Sequence, residues 1–468
     1  MLRDRCLANP LQSNAKATNS SQTHTVVSRI IELAEDTPSI AVGTIVKTTP
    51  GRPPLDTAYH SSYEGVSYLG EPYQDDQDDA PGEPFRTFCD VKDSVALEDE
   101  SGRVELEGMF DMDAIATGVV VAVEGVVGSA GVMNVTKLHF ASQAPQMDYD
   151  NQINNNEEDA TVMIVSGLDC GGPSAETSLK RELLVDFLTG HFASEEGSNV
   201  ARVLVAGGGC AKPIKPDHPS PFGNWGGGSH AKNDVDRSNT TLPIRELDLF
   251  LGELVAGGVP VDYIPGLHDP TNANWPQKPM HPCLLPNAGC FVNMLSRSTN
   301  PYKAQIGGRS FLGSDGLNVM DLRRFIAKKC TTGNEDEVDD EGNVIEQQTE
   351  LKEMSPLETL EAILKFQHLA PTGPDSLPTF PFVDIDPFVI EETPHFLFSG
   401  NCDEFETKML ESNGVKTRLV CIPSFAKTGQ AVKLNLKTMS CTVIEFAGLQ
   451  RNVDSDQDCI MDEKKMGE

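Results

Sequence analysis

Three short apolar runs of this chain each end in a glycine-rich turn, and this repeated arrangement constrains the fold more than any other feature. The runs, each with the first glycine of its turn, are 161–167, 200–207 and 259–266. Apolar runs of this length that are bounded by glycine predict buried strands. A helix is predicted between the first two, over Leu179–Thr189. Strand, helix and strand in succession favour mixed α/β layers with helices on the faces of sheets.

The preceding part of the chain has a different pattern, with short strands only. The predicted strands are Ile40–Val46, Arg103–Gly108, Gly118–Gly125 and Met133–Phe140. Apolar and polar residues alternate strictly from Arg103 to Glu107, which is typical of a half-buried strand. Several short strands punctuated by glycine suggest a small barrel such as an OB-fold. A loop rich in Asp and Pro, from Pro53 to Pro84, is expected to interrupt this barrel.

Charge and cysteine usage exclude several classes of function. The 468 residues include 37 Lys and Arg against 70 Asp and Glu, a formal charge of -33. Such a charge repels a phosphate backbone unless basic residues are segregated on one face, so strong DNA binding by the chain alone is not expected. The 11 cysteines contain no Cys-x-x-Cys pair, which argues against a disulfide framework or structural zinc. No apolar stretch reaches the roughly 20 residues that span a bilayer, so an intracellular protein is expected.

The turn Pro265-Gly-Leu-His-Asp269 resembles the metal loop of calcineurin-like metallophosphoesterases, whose motifs run Asp-x-His, Gly-Asp, Gly-Asn-His-Asp and Gly-His-x-His. In that family two metals share a bridging carboxylate and generate a nucleophilic water. In this chain, Gly167 and Asp169 stand at the Asp and His of the first motif, and Gly208 stands at the bridging Asp of the second. Leu267 stands at the Asn of the third motif, before the retained His268 and Asp269. Asn401 and Asp403 stand at the two histidines of the last motif. No histidine occurs near Ser314, where a further one is expected. Glycine and leucine offer no ligand atom, so the resemblance implies a phosphoesterase fold that has lost its metal ligands.

Four acidic or histidine side chains remain, and they leave a weaker metal site to be considered. Asp169, His268, Asp269 and Asp403 could converge and hold one Mg or Mn ion, because carboxylates suit hard cations. A single ion without the bridging ligand lacks the geometry of two-metal hydrolysis. We therefore expect His268 and Asp269 to hydrogen-bond their own turn, and we predict no catalytic residue, no metal and no cofactor.

An ordered set of motifs resembles the B subunits of replicative DNA polymerases, and most closely the small subunits of DNA polymerase delta. In the α/β region these motifs are Val165–Leu168, Leu183–Gly190, Val259–Gly266, Asp269–Asn272, Pro279–Cys283, Thr299–Tyr302, Phe311–Val319, Leu369–Asp375 and Asp386–Phe388. In the barrel they are Val42–Thr44, Leu97–Glu100, Ala116–Gly118 and Ala144–Gln146. Each motif alone is weak, but the ordered set, which extends from Ala41 to Gly448, is specific.

The predicted fold class is α/β (α+β overall), with an N-terminal OB-type β-barrel followed by an inactivated calcineurin-like phosphoesterase α/β sandwich. The predicted segments are a weakly ordered arm over 1–37, an OB-fold domain over 38–147, a phosphoesterase-like domain over 148–450 with loop insertions at 210–241 and 331–353, and an acidic disordered tail over 451–468. Within the arm, Val26–Leu33 has helix-like spacing, and Arg3–Pro10 resembles a remnant of the family's N-terminal helical segment. Ser355, Pro356 and Glu358 predict a capped helix start.

The resemblance implies a nuclear, non-catalytic scaffold that acts in DNA replication and repair. It implies binding to the cysteine-rich C-terminal domain of the polymerase delta catalytic subunit, recruitment of further accessory subunits, and sharing with the DNA polymerase zeta complex. Contact with DNA is expected to be weak or through the complex, and no membrane association is expected. Trp275, if exposed, and Pro276 are candidates for a partner interface, because aromatic residues are favoured at binding hot spots.

Two alternatives from other classes remain open at the level of sequence. One is a divergent metal-dependent phosphodiesterase or nuclease that uses Asp169, His268 and Asp269. The other is an OB-fold protein that binds single-stranded DNA through residues 40–147, although only 6% of the residues are aromatic and the charge is adverse.

Overall fold

The fold was determined from a computed structural model, which describes residues 1–8, 24–52, 87–147, 160–191, 200–212, 230–332, 348–412 and 414–447. The predicted Asp- and Pro-rich loop and the acidic tail lie outside these residues, as does the linker from residue 148 to 159. Within the described part of the chain, no helix combines the length and the apolar character needed to cross a membrane.

The N-terminal third of the chain forms the predicted barrel. Its strands are β1 (Thr25–Val26), β2 (Pro38–Thr48), β3 (Ser94–Asp99), β4 (Gly102–Gly108), β5 (Val120–Val127) and β6 (Val132–Phe140). They are ordered β1-β2-β3-β4-β6-β5, and β2 also pairs with β5, which closes the sheet on itself. Ile45, Leu97 and Val121 point into the closed interior and are fully buried. Strand β3 was not predicted, because its three consecutive buried residues do not alternate with polar ones.

The described ends of the predicted N-terminal arm, residues 1–8 and 24–37, have defined secondary structure and packing that the sequence did not indicate. Residues 2–8 form helix α1, and Cys6 is fully buried against the barrel. The guanidinium of Arg5 donates to the carbonyl oxygens of Ser142 and Ile390, both at 2.9 Å. The sequence gives no sign of this order, because it comes from contacts with residues far along the chain.

The helix-like spacing at Val26–Leu33 was also misleading. Thr25–Val26 pairs in parallel with β2, and Ile30–Glu32 forms a single 3-10 turn. The carboxylate of Asp99 accepts from the backbone N–H of Ile30 at 2.9 Å and holds this turn to the β3–β4 hairpin. A long-range hydrogen bond therefore decides the local conformation here, and apolar spacing does not.

Two sheets stack face to face in the second domain, as the α/β sandwich prediction requires. The first sheet contains β7 (Thr161–Val165), β8 (Val200–Ala206), β9 (Val261–Ile264), β10 (Leu295–Arg297), β18 (Gln430–Asn435) and β19 (Cys441–Glu445), in the order β10-β9-β8-β7-β18-β19. The second contains β11 (Tyr302–Ile306), β12 (Arg309–Ser314), β15 (Phe396–Cys402), β16 (Glu406–Ser412) and β17 (Val415–Pro423), in the order β11-β12-β15-β17-β16. Ile164 and Leu204 of the first sheet share one buried cluster with Phe398 of the second.

Helices cover the outer faces of both sheets. Helices α2 (Ala175–Leu188) and α3 (His230–Ala256) lie on the first sheet, and α4 (Leu317–Arg323) and α5 (Pro356–Phe366) lie on the second. The predicted start of α5 is confirmed: Ser355 Oγ accepts from the N–H of Glu358 at 3.2 Å, and the Glu358 carboxylate accepts from the N–H of Ser355 at 2.8 Å. A short helix α6 (Phe425–Thr428) follows β17.

Both predicted loop insertions contain regular structure at their described ends. Helix α3 begins at His230, inside the segment predicted as loop over 210–241, and continues through Pro243. In the segment predicted as loop over 331–353, the last six residues form β14 (Gln348–Glu353), which pairs antiparallel with β13 (Ala327–Thr332). Polar composition hid both elements, since pairing and packing with other parts of the chain stabilise them.

Buried polar contacts join the barrel to the sandwich. The ammonium of Lys47 on β2 lies 3.2 Å from the Asp93 carboxylate and donates to the carbonyl of Phe325 at 3.1 Å. The backbone N–H of Phe88 donates to the carbonyl of Arg324 at 2.7 Å, and the Phe88 and Phe325 rings meet edge to face. One continuous core therefore runs from the barrel into the α4 and α5 side of the sandwich.

Candidate functional site

The glycine turns that follow β7, β8 and β9 meet the glycine-containing end of β15 at one edge of the sandwich, which we call the crest. The crest comprises residues 166–172, 206–211, 265–269 and 399–403. Neighbouring turns are joined by backbone hydrogen bonds: Gly167 N–H donates to Gly207 at 2.9 Å, and Gly207 N–H donates to Ile264 at 3.0 Å. The carboxyl ends of parallel strands are the usual place for a site in such sheets.

Gly167 and Gly208 lie at the centre of the crest, where no side chain fits. Both have positive φ angles, 64° and 66°. A Cβ atom on either residue would lie 2.8 Å from Oδ1 of Asn401, and a Cβ on Gly208 would also lie 2.9 Å from Cα of Gly167. Separations below about 3 Å between such atoms are not tolerated in packed proteins. The two positions that match the first and the bridging Asp of the metal motifs are therefore sterically closed.

Asn401 occupies the space above these glycines. Its backbone has a left-handed conformation with φ of 52°, and its N–H donates to Ser166 Oγ at 2.9 Å. The side-chain Nδ2 donates to the carbonyl of Asp315 at 2.8 Å, which fixes the amide over Gly167 and Gly208. The residue that stands at a histidine ligand position thus fills the crest with a bonded amide.

The retained Asp269 is engaged by backbone donors. Its carboxylate is buried and accepts from the N–H groups of Gly266 at 2.7 Å, Cys210 at 2.8 Å and Gly209 at 3.4 Å. Backbone N–H groups that are buried in this way need an acceptor, and Asp269 supplies it for two turns at once. The carboxylate is therefore part of the structure of the turns.

The other residues at the motif positions have separate environments. His268 is half-buried, and burial, reinforced by the charge of Lys212, lowers its pKa. Leu267 is half-buried against the apolar core. Asp169 is half-buried with φ of 52°, and the exposed Asp403 forms an ion pair with Lys427 at 3.1 Å. Among the residues that the structure describes, no group of three or more His, Cys, Asp or Glu side chains is placed to hold a metal ion.

The metal pair implied by the phosphoesterase resemblance does not fit these residues. Gly167, Gly208 and Leu267 provide no side-chain ligand atom, and Asn401 Oδ1 lies 2.8 Å from where a Cβ of either glycine would be. Asp269 already accepts three N–H groups, so coordination would compete with the hydrogen bonds that hold the turns. We derive no reaction step through a metal at the crest.

Two supporting residues of the crest were not identified from the sequence. Arg181 on α2 donates to the carbonyl oxygens of Leu168 at 2.9 Å and Asp169 at 3.0 Å, and pairs with Glu246 at 3.1 Å. Glu246 in turn accepts from the N–H of Gly171 at 2.7 Å. The only signal in the sequence was that Arg181 occupies a position of α2 that faces the core. Its partner Glu246 on α3 lies far away in sequence.

Asp315, directly after β12, was also missed. It is buried beneath the crest, and its carboxylate accepts from Asn300 Nδ2 at 2.7 Å and from the N–H of Leu317 at 3.2 Å. Burial raises the pKa of Asp315 to about 6. The neighbouring Ser314, where a family histidine was sought, donates its hydroxyl to Asn318 Oδ1 at 2.6 Å. This side of the crest is therefore built from hydrogen bonds around one buried carboxyl group.

Trp275 does not meet the condition set for an interface residue. Its side chain is 0% exposed and packs against Phe388, with ring centroids 6.0 Å apart. Its backbone N–H donates to the carbonyl of Pro378 at 2.8 Å, and Pro276 is half-buried. Trp275 instead fills the core between the loop after β9 and the segment before β15.

Comparison with known proteins agrees with the sequence motifs. Residues 162–407 match the family of the B subunits of DNA polymerases alpha and epsilon, and residues 2–138 match the family described as DNA polymerase delta subunit OB-fold domain. A solved archaeal phosphodiesterase is similar at 11% identity, covering 61% of this chain and 98% of that chain, with a TM-score of 0.25. A score this low has no bearing on the fold.

Several curated relatives cover nearly the whole chain. The DNA polymerase delta small subunit of Oryza sativa subsp. japonica is 35% identical over 430 residues, covering 91% of this chain and 87% of that protein. The same subunit of Arabidopsis thaliana is 33% identical, covering 91% and 86%, and that of Saccharomyces cerevisiae (strain ATCC 204508 / S288c) is 26% identical, covering 89% and 81%. These matches confirm the resemblance read from the motifs, and the chain belongs to the family of DNA polymerase delta small subunits.

Proposed function

We propose that this chain is a non-catalytic accessory subunit of a nuclear DNA polymerase delta complex, acting in DNA replication and repair. In this proposal it binds the cysteine-rich C-terminal domain of the catalytic subunit and links it to further accessory subunits. The same scaffold role would allow sharing with a DNA polymerase zeta complex. The α/β sandwich then serves as a rigid platform, because its core continues into the barrel.

The observation that carries the proposal is the filled crest. Phosphoester hydrolysis by two metals requires an open site with a bridging carboxylate. Here the bridging position is Gly208, and Asn401 Oδ1 lies 2.8 Å from where its Cβ would be. A site that is packed and hydrogen-bonded by its own residues supports a structural role for this fold and argues against the metal-dependent phosphodiesterase alternative.

Charge on the barrel supports contact with DNA through the complex and not by this chain alone. A cavity of about 990 Å³ on the barrel is lined by residues of α1, β1, β2, β3 and β5 and by the residues that follow β1 and β3. Its charged residues are Arg3, Arg29, Glu98, Asp99 and Glu100. Grooves that bind single strands are positively charged and carry stacking aromatics, and this lining has more acidic than basic residues and no aromatic one.

Co-expression with the C-terminal domain of the delta catalytic subunit from the same organism tests the proposal. The expected result is one species of 1:1 stoichiometry in size-exclusion chromatography with light scattering. A domain with its cysteines changed to serine is the matched control, and it should lose the complex if a folded cysteine-rich domain is what binds. Separate elution of the two chains, with this one shown to be folded by circular dichroism, would reject the scaffold role.

A further inference from the structure

A ridge of apolar side chains projects into solvent on the segment that leads to β15. We define the ridge as Phe382, Val383 and Ile385, whose exposed fractions are 48%, 94% and 71%. Large apolar side chains that are exposed one at a time are ordinary, but three within four positions form a contiguous patch. Within the described residues, no other four-residue stretch exposes three large apolar side chains.

A cleft lies beside this ridge. It has a volume of about 450 Å³ and is enclosed by strands β11 and β12 on one side and residues 385–394 on the other. Its apolar lining includes Phe311, Leu312, Leu369, Ile385, Val389 and Ile390. The volume is in the range of pockets that hold a few apolar side chains. Because Ile385 belongs to both features, the cleft and the ridge form one continuous apolar surface.

The ridge is held in place before any partner arrives. His368 Nδ1 accepts from the N–H of Ala370 at 3.2 Å, so its Nε2 carries the proton that is donated to the Asp386 carboxylate at 2.8 Å. Asp386 also accepts from the N–H of Phe388 at 2.9 Å, and the buried Phe388 ring lies 6.3 Å from that of Phe382. A preformed surface loses less conformational freedom on binding than a loose loop does.

The charges around this surface are mainly acidic. Asp384 lies within the ridge and is exposed, and Glu391 and Glu392 line the cleft together with the single basic residue Lys303. Charges at the rim of an interface select partners of opposite sign and speed their approach. The rim therefore favours lysine or arginine beside an apolar anchor and disfavours an acidic segment or a nucleic acid.

We propose that the ridge and cleft dock an apolar segment of a partner protein that is flanked by Lys or Arg. Burial of the ridge residues against such a segment supplies the contact energy, and the acidic rim supplies selectivity. Any protein that supplies such a segment would fit this surface, whether or not it is the partner proposed for the platform.

A displayed library of random 16-residue peptides, selected against the full chain, provides the probe. Peptides recovered on the wild type would be tested by fluorescence anisotropy on the variant Val383→Asp/Ile385→Asp. Both substitutions are at exposed positions, so the fold should be retained, and thermal unfolding would check this. Val292→Asp is the matched control, since Val292 is 80% exposed and lies outside the cleft.

The expected result is a set of peptides with apolar anchors and flanking basic residues, whose Kd rises roughly tenfold or more in the double variant and stays unchanged in Val292→Asp. Glu391→Lys should weaken the same peptides, more at low salt than at high salt. Recovery of no peptide that depends on Val383 and Ile385, or of acidic peptides, would overturn the inference. If the wild type self-associated and the double variant did not, the occupant would be a second copy of this chain and the inference would also be overturned. Displacement of the peptides by single-stranded DNA would overturn it as well.

Discussion

Gly208→Asp is expected to lower the free energy of unfolding by about 3 kcal/mol or more and to create no metal site. The substitution restores the residue type of the bridging ligand, but its Cβ would lie 2.8 Å from Asn401 Oδ1 and 2.9 Å from Gly167 Cα. Asn401 cannot move away freely, because its amide donates to the carbonyl of Asp315 at 2.8 Å. Chemical denaturation, with and without Mn²⁺, measures both expectations.

Gly131→Asp is the matched control for this substitution. Gly131 has a similar positive φ angle of 76°, but a Cβ there would meet no atom within 4 Å. It therefore isolates the backbone cost of a non-glycine residue, about 1 kcal/mol, from the crowding at the crest. Equal stability losses in the two variants, or Mn²⁺-dependent stabilisation of Gly208→Asp, would show that the crest has room for a ligand.

Asp269→Ala is expected to lower the free energy of unfolding by about 3–5 kcal/mol, because three buried backbone N–H groups would lose their acceptor. Those donors belong to Gly209, Cys210 and Gly266, so two of the three turns that follow the central parallel strands are affected. Asp269→Asn keeps one acceptor oxygen and should fall between Ala and the wild type. Urea unfolding followed by circular dichroism gives the values.

Asp403→Ala supplies the comparison, because Asp403 also stands at a position that aligns with the phosphoesterase metal motifs. Asp403 is exposed and its partner Lys427 is equally so, and exposed pairs contribute little to stability. We expect a change too small to distinguish from the wild type. If Asp269→Ala were as mild as Asp403→Ala, the carboxylate would not be holding the turns. If a metal chelator destabilised the wild type as much as Asp269→Ala does, the result would point instead to a bound ion.

The sequence predicted the position of the crest but not its content. Glycine after an apolar run is a local signal, so the turns at Gly167, Gly207 and Gly266 were recognised from spacing alone. What fills the space between them depends on Asn401, which lies more than two hundred residues after Gly167 in the sequence. No local pattern shows that this amide would reach over two glycines and bond to the Asp315 carbonyl.

The supporting residues of the crest and the structure of the N-terminal arm were missed for the same reason: their determinants are remote in sequence. Arg181 and Glu246 meet only because α2 and α3 pack on one sheet, and Asp315 is buried only because two sheets stack. In the N-terminal arm, α1 is fixed by Arg5, whose acceptors at Ser142 and Ile390 are remote in sequence. Elements with their own caps and apolar periodicity, such as α5, were predicted correctly, because their determinants are local.

Trp275 shows how composition misleads about interfaces. A Trp in a proline-rich loop suggests an exposed anchor, but this one is enclosed by Phe388 and the Pro378 backbone. The apolar surface that the structure does expose is the ridge from Phe382 to Ile385, just before Phe388 in the same segment. The buried contact between Trp275 and Phe388 thus helps to position the exposed apolar ridge beside it.

The most direct test of the central claim, that the residues of the crest leave no room for a catalytic metal site, is Mn²⁺-dependent hydrolysis of bis(p-nitrophenyl) phosphate by the purified full chain. The filled crest predicts turnover at the level of buffer with Mn²⁺, and the same value for His268→Ala. Turnover by the wild type that rises with Mn²⁺ and is abolished in His268→Ala, with both proteins folded, would contradict the claim and identify an enzyme.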